Sequence, residues 1–488
     1  MVSGCLGGDT QLAGCWKQNR QMTAPAMTTT PAETVPRHPT FAEATAVWAK
    51  IGLLSFGGPA GQIALMHKEL VEDRRWIAES RFLHALNFCM LLPGPEAQQL
   101  ATYIGWLLHG TWGGIVAGTL FVVPGFLVIV LLSSSYALFH ETTWLASLFF
   151  GLKAAVLAIV VEAVIRVGKR ALKNNVMLGI AAVAFVALFA FNLPFPLVVL
   201  VAGIVGYVGS RAYPNAFTGG GHRVTVPDLP AVIAAGFPEA TPSATATAKT
   251  IVVWVALWFA PLLLIVLPLG WSSTFATLWV FFSQMAVVTF GGAYAVLAYV
   301  AQEAVQHFGW LRPGEMVDGL ALAETTPGPL VMVLSFVGFL AAFRAPNGLD
   351  PLLAGVLGAT LTTWVTFVPC FLWIFLGAPH IERLRSNKAL SGALTAITAA
   401  VVGVILNLAV WFGLHVLFRE VSTFRLGPVS IAAPAVTSID LVAVALSAVA
   451  ALCLFRFKVG ILATLAICGA LGLLVALLPI AGLGAAVR

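Results

Sequence analysis

The chain is predicted to be an all-α, polytopic membrane helical bundle, and three observations carry that prediction. Its 488 residues are 59% hydrophobic and only 9% charged, against about 25% charged for soluble domains. Apolar stretches of helical length recur, at Gly113–Leu132, Val176–Phe191, Ile251–Gly270 and Val459–Leu478. Each is near the length that a membrane crossing needs. The short alternating segments of an outer-membrane barrel are absent. Roughly ten to fourteen membrane-embedded segments are expected at this length.

Residues 1–40 are polar, rich in Thr, Pro and Gly, and lack the apolar core of a cleavable signal; they read as a disordered cytoplasmic tail. The net charge of +6 fits basic cytoplasmic loops better than a nucleic-acid partner. Cys5, Cys15, Cys89, Cys370, Cys453 and Cys468 form no C-x-x-C pair, so no disulfide framework is expected and most read as small core residues.

The chain repeats itself. A shift of 234 residues lays Ser55-Phe56-Gly57-Gly58 on Thr289-Phe290-Gly291-Gly292, Glu69 on Glu303, Trp76 on Trp310 and Pro93-Gly94-Pro95 on Pro327-Gly328-Pro329. Further on, a shift of 245 lays Pro124 on Pro369 and Ala154-Ala155-Val156 on Ala399-Ala400-Val401. Ordered matches of Gly, Pro, Trp and Glu indicate an internal duplication. The first copy occupies 41–212. A Pro-, Gly- and Thr-rich loop fills 213–250. One extra apolar crossing and the second copy fill 251–488.

A single added crossing turns the second copy over, and loop charge agrees at two places. The Ser133–Thr143 loop has no Lys or Arg, whereas its counterpart Ala378–Lys388 has Arg383, Arg385 and Lys388. The His67–Arg81 loop holds Lys68, Arg74, Arg75 and Arg81, whereas Ala301–Glu315 holds only Arg312. By the positive-inside rule the copies lie in opposite orientation, the architecture of secondary transporters with a midplane site. Arg166–Lys173 cuts against a clean swap, since its counterpart keeps Arg419 and Arg425.

Each copy carries two breakers, Gly-Gly and Pro-Gly-Pro. Proline inside a helix costs about 3 kcal/mol, and broken backbone survives in a membrane only where it is buried in protein or lines a cavity. Discontinuous or re-entrant helices are expected. Their N-terminal N–H groups suit an anion, and Gly57, Gly58, Gly291 and Gly292 permit close approach. Candidate anion-binding residues are those glycines with Pro93, Gly94, Pro95, Pro327, Gly328 and Pro329. Neutral hydrogen bonds could come from Gln62, Gln98, Gln99, Thr325 and Thr326, and attraction from Lys50 and Lys153. Intramembrane carboxyls default to function. Glu96 follows the first Pro-Gly-Pro and Glu324 precedes the second; burial favours their neutral form, so both are candidate proton-coupling sites. Glu162 is expected to pair with Lys153 or Arg166, and Trp76 and Trp310 to anchor the membrane interface.

"SFGGPAGQIALMHKELV" and "LLPGPEAQQLATYIGW", then "TFGGAYAVLAYV" and "ETTPGPLVMVLSFVGF", resemble the chromate ion transporter family in its long, two-domain form, over about Phe41 to Leu478. The first forty residues are not a family feature. The resemblance implies a multi-pass protein of the bacterial inner membrane that exports chromate, a sulfate-like dianion, and confers resistance. A carrier for sulfate or another oxyanion and an anion channel are the alternatives. No cofactor, metal or nucleic-acid partner is implied; protons and the lipid bilayer are the other partners, and a homodimer is a possible assembly. No enzyme motif survives inspection. "HETTW" at His140 lacks the second histidine of a zinc protease, and "RVGKRA" at Arg166–Ala171 lacks the leading Gly and the hydroxyl residue of a phosphate-binding loop.

Overall fold

The computed structural model describes residues 36–140, 142–217, 230–234, 243–290, 293–380, 388–427 and 429–477. The expected N-terminal tail lies almost wholly outside these, as do most of the loop between copies, Gly291, Gly292, Arg383 and Arg385.

The first copy forms α1 (Phe41–Leu54), α2 (Gly58–His67), α3 (Glu79–Cys89), α4 (Glu96–Phe139), α5 (Thr143–Ala171), α6 (Asn175–Phe189) and α7 (Phe195–Ala212). The extra crossing is α8 (Ala244–Leu269). The second copy forms α9 (Thr274–Val288), α10 (Ala293–Gln302), α11 (Glu315–Thr325), α12 (Leu330–Arg344), α13 (Pro351–Gly377), α14 (Lys388–Leu417), α15 (Leu441–Arg456) and α16 (Ile461–Leu477). Among the described residues, six helices are long and apolar enough to cross a membrane: α4, α5, α7, α8, α13 and α14. The chain is thus an all-α, multi-pass membrane bundle. Apolar side chains such as Val183, Leu263 and Leu264 remain exposed on α6 and α8, the surface that lipid covers.

Local chemistry sets the helix ends. Thr40 and Glu43 form a capping box at the start of α1. Asn174 caps α6, and Asp350 caps α13 with Pro351 at its first position. Helix α4 is two arms joined at His109–Gly110, where Gly110 takes φ 62° and ψ −155°, a conformation that needs glycine. The arms fold back so closely that a Cβ on Gly113 would lie 2.3 Å from the Gly105 carbonyl oxygen. Helices α12 and α13 repeat the arrangement, with a Cβ on Gly358 2.3 Å from the Gly338 carbonyl oxygen.

The copies exchange contacts. Helix α7 packs on α14, and α16 packs on α5. A Cβ on Gly206 would meet the Gly392 carbonyl oxygen at 2.5 Å, and one on Gly472 the Ser147 oxygen at 2.4 Å; these are the same contact twice, since 206 and 472 hold the same place in α7 and α16, counted from Phe195 and Ile461, and 147 falls on 392 at the 245-residue shift. Helices α5 and α14 also touch, Gly168 against Val402 and Gly413 against Leu157. Residue number falls on one as it rises on the other, so these equivalent helices run antiparallel.

Two features differ from expectation. A two-stranded hairpin, β1 (Val421–Leu426) and β2 (Val429–Pro434), with Val421 opposite Pro434, follows α14, so Arg419 and Arg425 sit in an insertion without counterpart in the first copy. Trp76 and Trp310 are buried in protein instead of anchoring the interface. Trp310 stacks on Phe308 with centroids 4.2 Å apart, and Trp76 lies under Arg74.

Candidate functional site

The breakers fold the chain back on itself. Lys50, near the end of α1, meets Glu69, beyond α2, at 2.6 Å. A continuous helix would hold residues nineteen apart about 28 Å apart, so α1 and α2 double back at Ser55–Gly57. Arg81 at the start of α3 reaches the Tyr103 hydroxyl at 3.3 Å, which doubles α3 and α4 back at Pro93–Pro95. Arg344 at the end of α12 makes paired bonds of 2.6 and 2.8 Å to Glu315 at the start of α11, with Pro327–Pro329 at the tip.

The tips and breaks of the two copies then meet reciprocally. The Gly94 N–H donates to the Thr289 carbonyl at 2.7 Å, and the Gly328 N–H donates to the Ser55 carbonyl at 2.8 Å. Gly94 matches Gly328 and Ser55 matches Thr289, so one bond is the other's image. Both glycines have positive φ, 118° and 90°, which a side chain resists. The hydroxyls of Ser55 and Thr289 donate to the carbonyls of Ile51 and Met285, one turn back; α1 and α9 end at these residues, which leaves their own carbonyls open to the opposite tip. A pair of image contacts about one axis is the signature of a two-fold relation.

Most of the predicted residues surround this junction. Gln62 donates through Nε2 to the Gly328 carbonyl at 2.5 Å, and Gln99 to the Pro93 carbonyl at 2.7 Å. Gln98 donates to the Thr102 hydroxyl at 3.2 Å. The side-chain oxygens of all three glutamines are buried with no hydrogen-bond partner among the described residues. Thr325 and Thr326 both donate to the Leu322 carbonyl. Gly57 and Gly58 adopt φ 82° and 71°, and a Cβ on either would meet nothing within 4 Å. Open space therefore faces the first turn of α2, where N–H groups lack helical partners. Gly291 and Gly292 lie outside the described residues. Glu324 is buried; its Oε1 accepts from the Tyr294 hydroxyl at 2.7 Å, and its Oε2 has no partner among the described residues. Glu96 opens α4 directly after Pro95, partly buried.

The two lysines are committed elsewhere. Lys50 shares Glu69 with Arg74. Burial pushes the Glu69 carboxyl up, but these two cations outweigh it and hold the group below the usual carboxylate range. Lys153 pairs with Asp318 at 3.3 Å, and the Tyr136 hydroxyl donates to the same Asp318 oxygen at 2.9 Å; Glu162 is not its partner. Sequence reasoning missed Asp318, Glu315, Arg344, Tyr136 and Tyr294. The signal was present: at the 234-residue shift Arg81 and His84 fall on Glu315 and Asp318, a spacing of three that shares one helix face. A cavity of about 340 Å³ beside Thr325 is lined mainly by apolar side chains, including Leu132, Leu152 and Leu465, and so suits no anion.

The junction supplies backbone N–H groups, neutral amides and hydroxyls. That set can hold and release a charged solute. The chromate transporter family model matches residues 42–207 and 276–473, one region in each copy. A chromate transport protein of Pseudomonas aeruginosa is 33% identical over 376 residues, 76% of this chain and 81% of the relative. A probable chromate transport protein of Synechococcus elongatus is 27% identical over 396 residues, 81% of this chain and 90% of the relative. A chromate transport protein of Cupriavidus metallidurans is 28% identical over 380 residues, 77% of this chain and 84% of the relative. No solved structure matches the chain. The chain belongs to the chromate transporter family, a transporter and not an enzyme.

Proposed function

We propose that this chain is a secondary transporter that carries chromate, or a sulfate-like oxyanion, out of the cytoplasm across the inner membrane. The reading rests on one observation: the Pro-Gly-Pro tip of each copy is hydrogen-bonded to the break of the other. Polar backbone from both halves therefore meets at one junction, the placement of a substrate site in carriers built from repeats. The N–H groups in the first turns of α2, with open space before it, and of α4, just past the Pro93–Pro95 tip, are the proposed anion donors, with Gln62, Gln98, Gln99, Thr325 and Thr326 around them. Lys50, which with Arg74 leaves a net positive charge on Glu69, attracts the anion at a distance, whereas Asp318 neutralises Lys153.

Opposite orientation of the copies is part of the proposal. Its supports are the antiparallel run of α5 and α14 and the reversed loop charge. Export follows from charge: a dianion leaving an inside-negative cell gains about 4–5 kcal/mol per 100 mV, enough for over a thousandfold gradient at about 1.4 kcal/mol per decade. Glu96 and Glu324 are the proposed sites at which protons modulate the cycle.

Flux of labelled chromate into inverted vesicles, with the interior made positive, tests this. Saturable uptake that competes with sulfate and collapses with the potential is expected. Flux that never saturates would instead indicate a channel, and no chromate movement by correctly inserted protein would overturn the substrate.

A further inference from the structure

The two tip contacts are images of each other, yet they are not held equally. Gln62 of α2 crosses between the copies to donate to the Gly328 carbonyl at 2.5 Å. The residue at the matching position is Val296, which has no donor. Among the described residues, the Gly328 tip is thus held to the opposite copy through both its N–H and its C=O, and the Gly94 tip through its N–H alone. Gln99 does hold the Pro93 carbonyl, but it belongs to the same copy, and it reaches the other copy only at the Cys370 sulfur, a weak acceptor. Gln62 is only 1% exposed, and its free oxygen gives the amide no second anchor. Its orientation is fixed by chemistry, since a carbonyl can only accept.

We infer that Gln62 is a positioning residue that latches the Gly328 tip against Ser55, so that the Gly94–Thr289 contact opens more readily. The inference rests on the transport reading only in treating the two contacts as gates; the inequality itself does not need it. One additional buried hydrogen bond is worth roughly a two- to tenfold bias in the opening equilibrium.

Hydrogen exchange of the intact protein in lipid nanodiscs tests this, because both glycines sit in the same Pro-Gly-Pro setting and local sequence gives their amides no reason to differ. In the wild type, the Gly328 peptide should exchange roughly two- to tenfold more slowly than the Gly94 peptide. Gln62→Met, which keeps the volume and removes the donor, should abolish that difference by speeding Gly328 and leaving Gly94 unchanged. Should that variant fail to insert, the wild-type comparison still decides, and Val296→Gln should slow Gly94. Equal exchange in the wild type, or equal acceleration of both tips in Gln62→Met, overturns the latch. Chromate transport with equal exchange would sink the latch alone, whereas unequal exchange without oxyanion flux would sink only the transport reading.

Discussion

Substituting Gly125 by alanine should disable transport from a position that touches no solute. Gly125 lies in the second arm of α4, and a Cβ there would sit 2.2 Å from the Pro327 carbonyl oxygen, against at least 3.4 Å for ordinary contact. The obstacle is backbone, so the Pro327–Pro329 tip or the helix must retreat by about 1.2 Å to restore that separation. Overpacking of this kind costs about 1–3 kcal/mol. If the cost falls on the working arrangement of the tip, transport per inserted molecule drops by roughly five- to 150-fold. The assay is initial chromate flux normalised to inserted protein, with Gly179→Ala on α6 as control, since a Cβ there meets nothing within 4 Å. Gly125→Ala moving chromate at the rate of Gly179→Ala would refute the reasoning, because the tip would then not depend on its seat against α4.

Three further outcomes follow from the charged groups. Glu315→Gln leaves Arg344 one neutral acceptor in place of a carboxylate; breaking a fully buried pair costs about 3–5 kcal/mol, and with Arg344 part-exposed a smaller fall of the thermal midpoint is expected. Replacing both residues by apolar ones should recover part of that loss, and no recovery would contradict the pairing. The Glu69 clamp with Lys50 and Arg74 contributes stability that is full above the ordinary carboxylate value of 4.5 and is lost as pH falls through its lower folded value. Glu69→Gln should therefore flatten the acid limb of a stability profile, and an unchanged limb would dismiss the clamp. Glu324→Gln should retain chromate binding and lose the pH dependence of transport; a wild-type pH profile in that variant would remove Glu324 from proton coupling.

The periodic breakers made much of this architecture legible in advance. Gly and Pro act locally, so a shift of 234 residues sufficed to align Ser55 with Thr289 and Gly94 with Gly328 before any contact was known. What the pattern could not state was that each tip bonds the other copy's break, because pairing between residues 195 and 273 positions apart leaves no local trace. The same limit explains the lysines. Lys50 and Lys153 looked like free cations in apolar surroundings because Glu69 and Asp318, which absorb their charge, lie on other helices. The sequence reads as loop as far as Glu315, which hides Glu315 and Asp318, whereas α11 begins there and carries both residues into the interior. Trp76 and Trp310 misled for a related reason: tryptophan suits a membrane interface and a protein core alike, and only packing against Phe282 and Phe308 decides for Trp310. The hairpin Val421–Pro434 interrupts the second copy alone and carries the alignment out of register before α15.

The most direct test of the account compares potential-driven chromate accumulation by inverted vesicles carrying wild type, Gly94→Ala or Gly328→Ala. A Cβ at 94 would press on the Cys370 sulfur at 2.7 Å and one at 328 on the Phe121 carbonyl oxygen at 3.1 Å, both at positive φ. Saturable accumulation by the wild type, lost in both variants at equal insertion, is predicted. Wild-type accumulation by both variants would contradict the claim that the two tips form the transport junction.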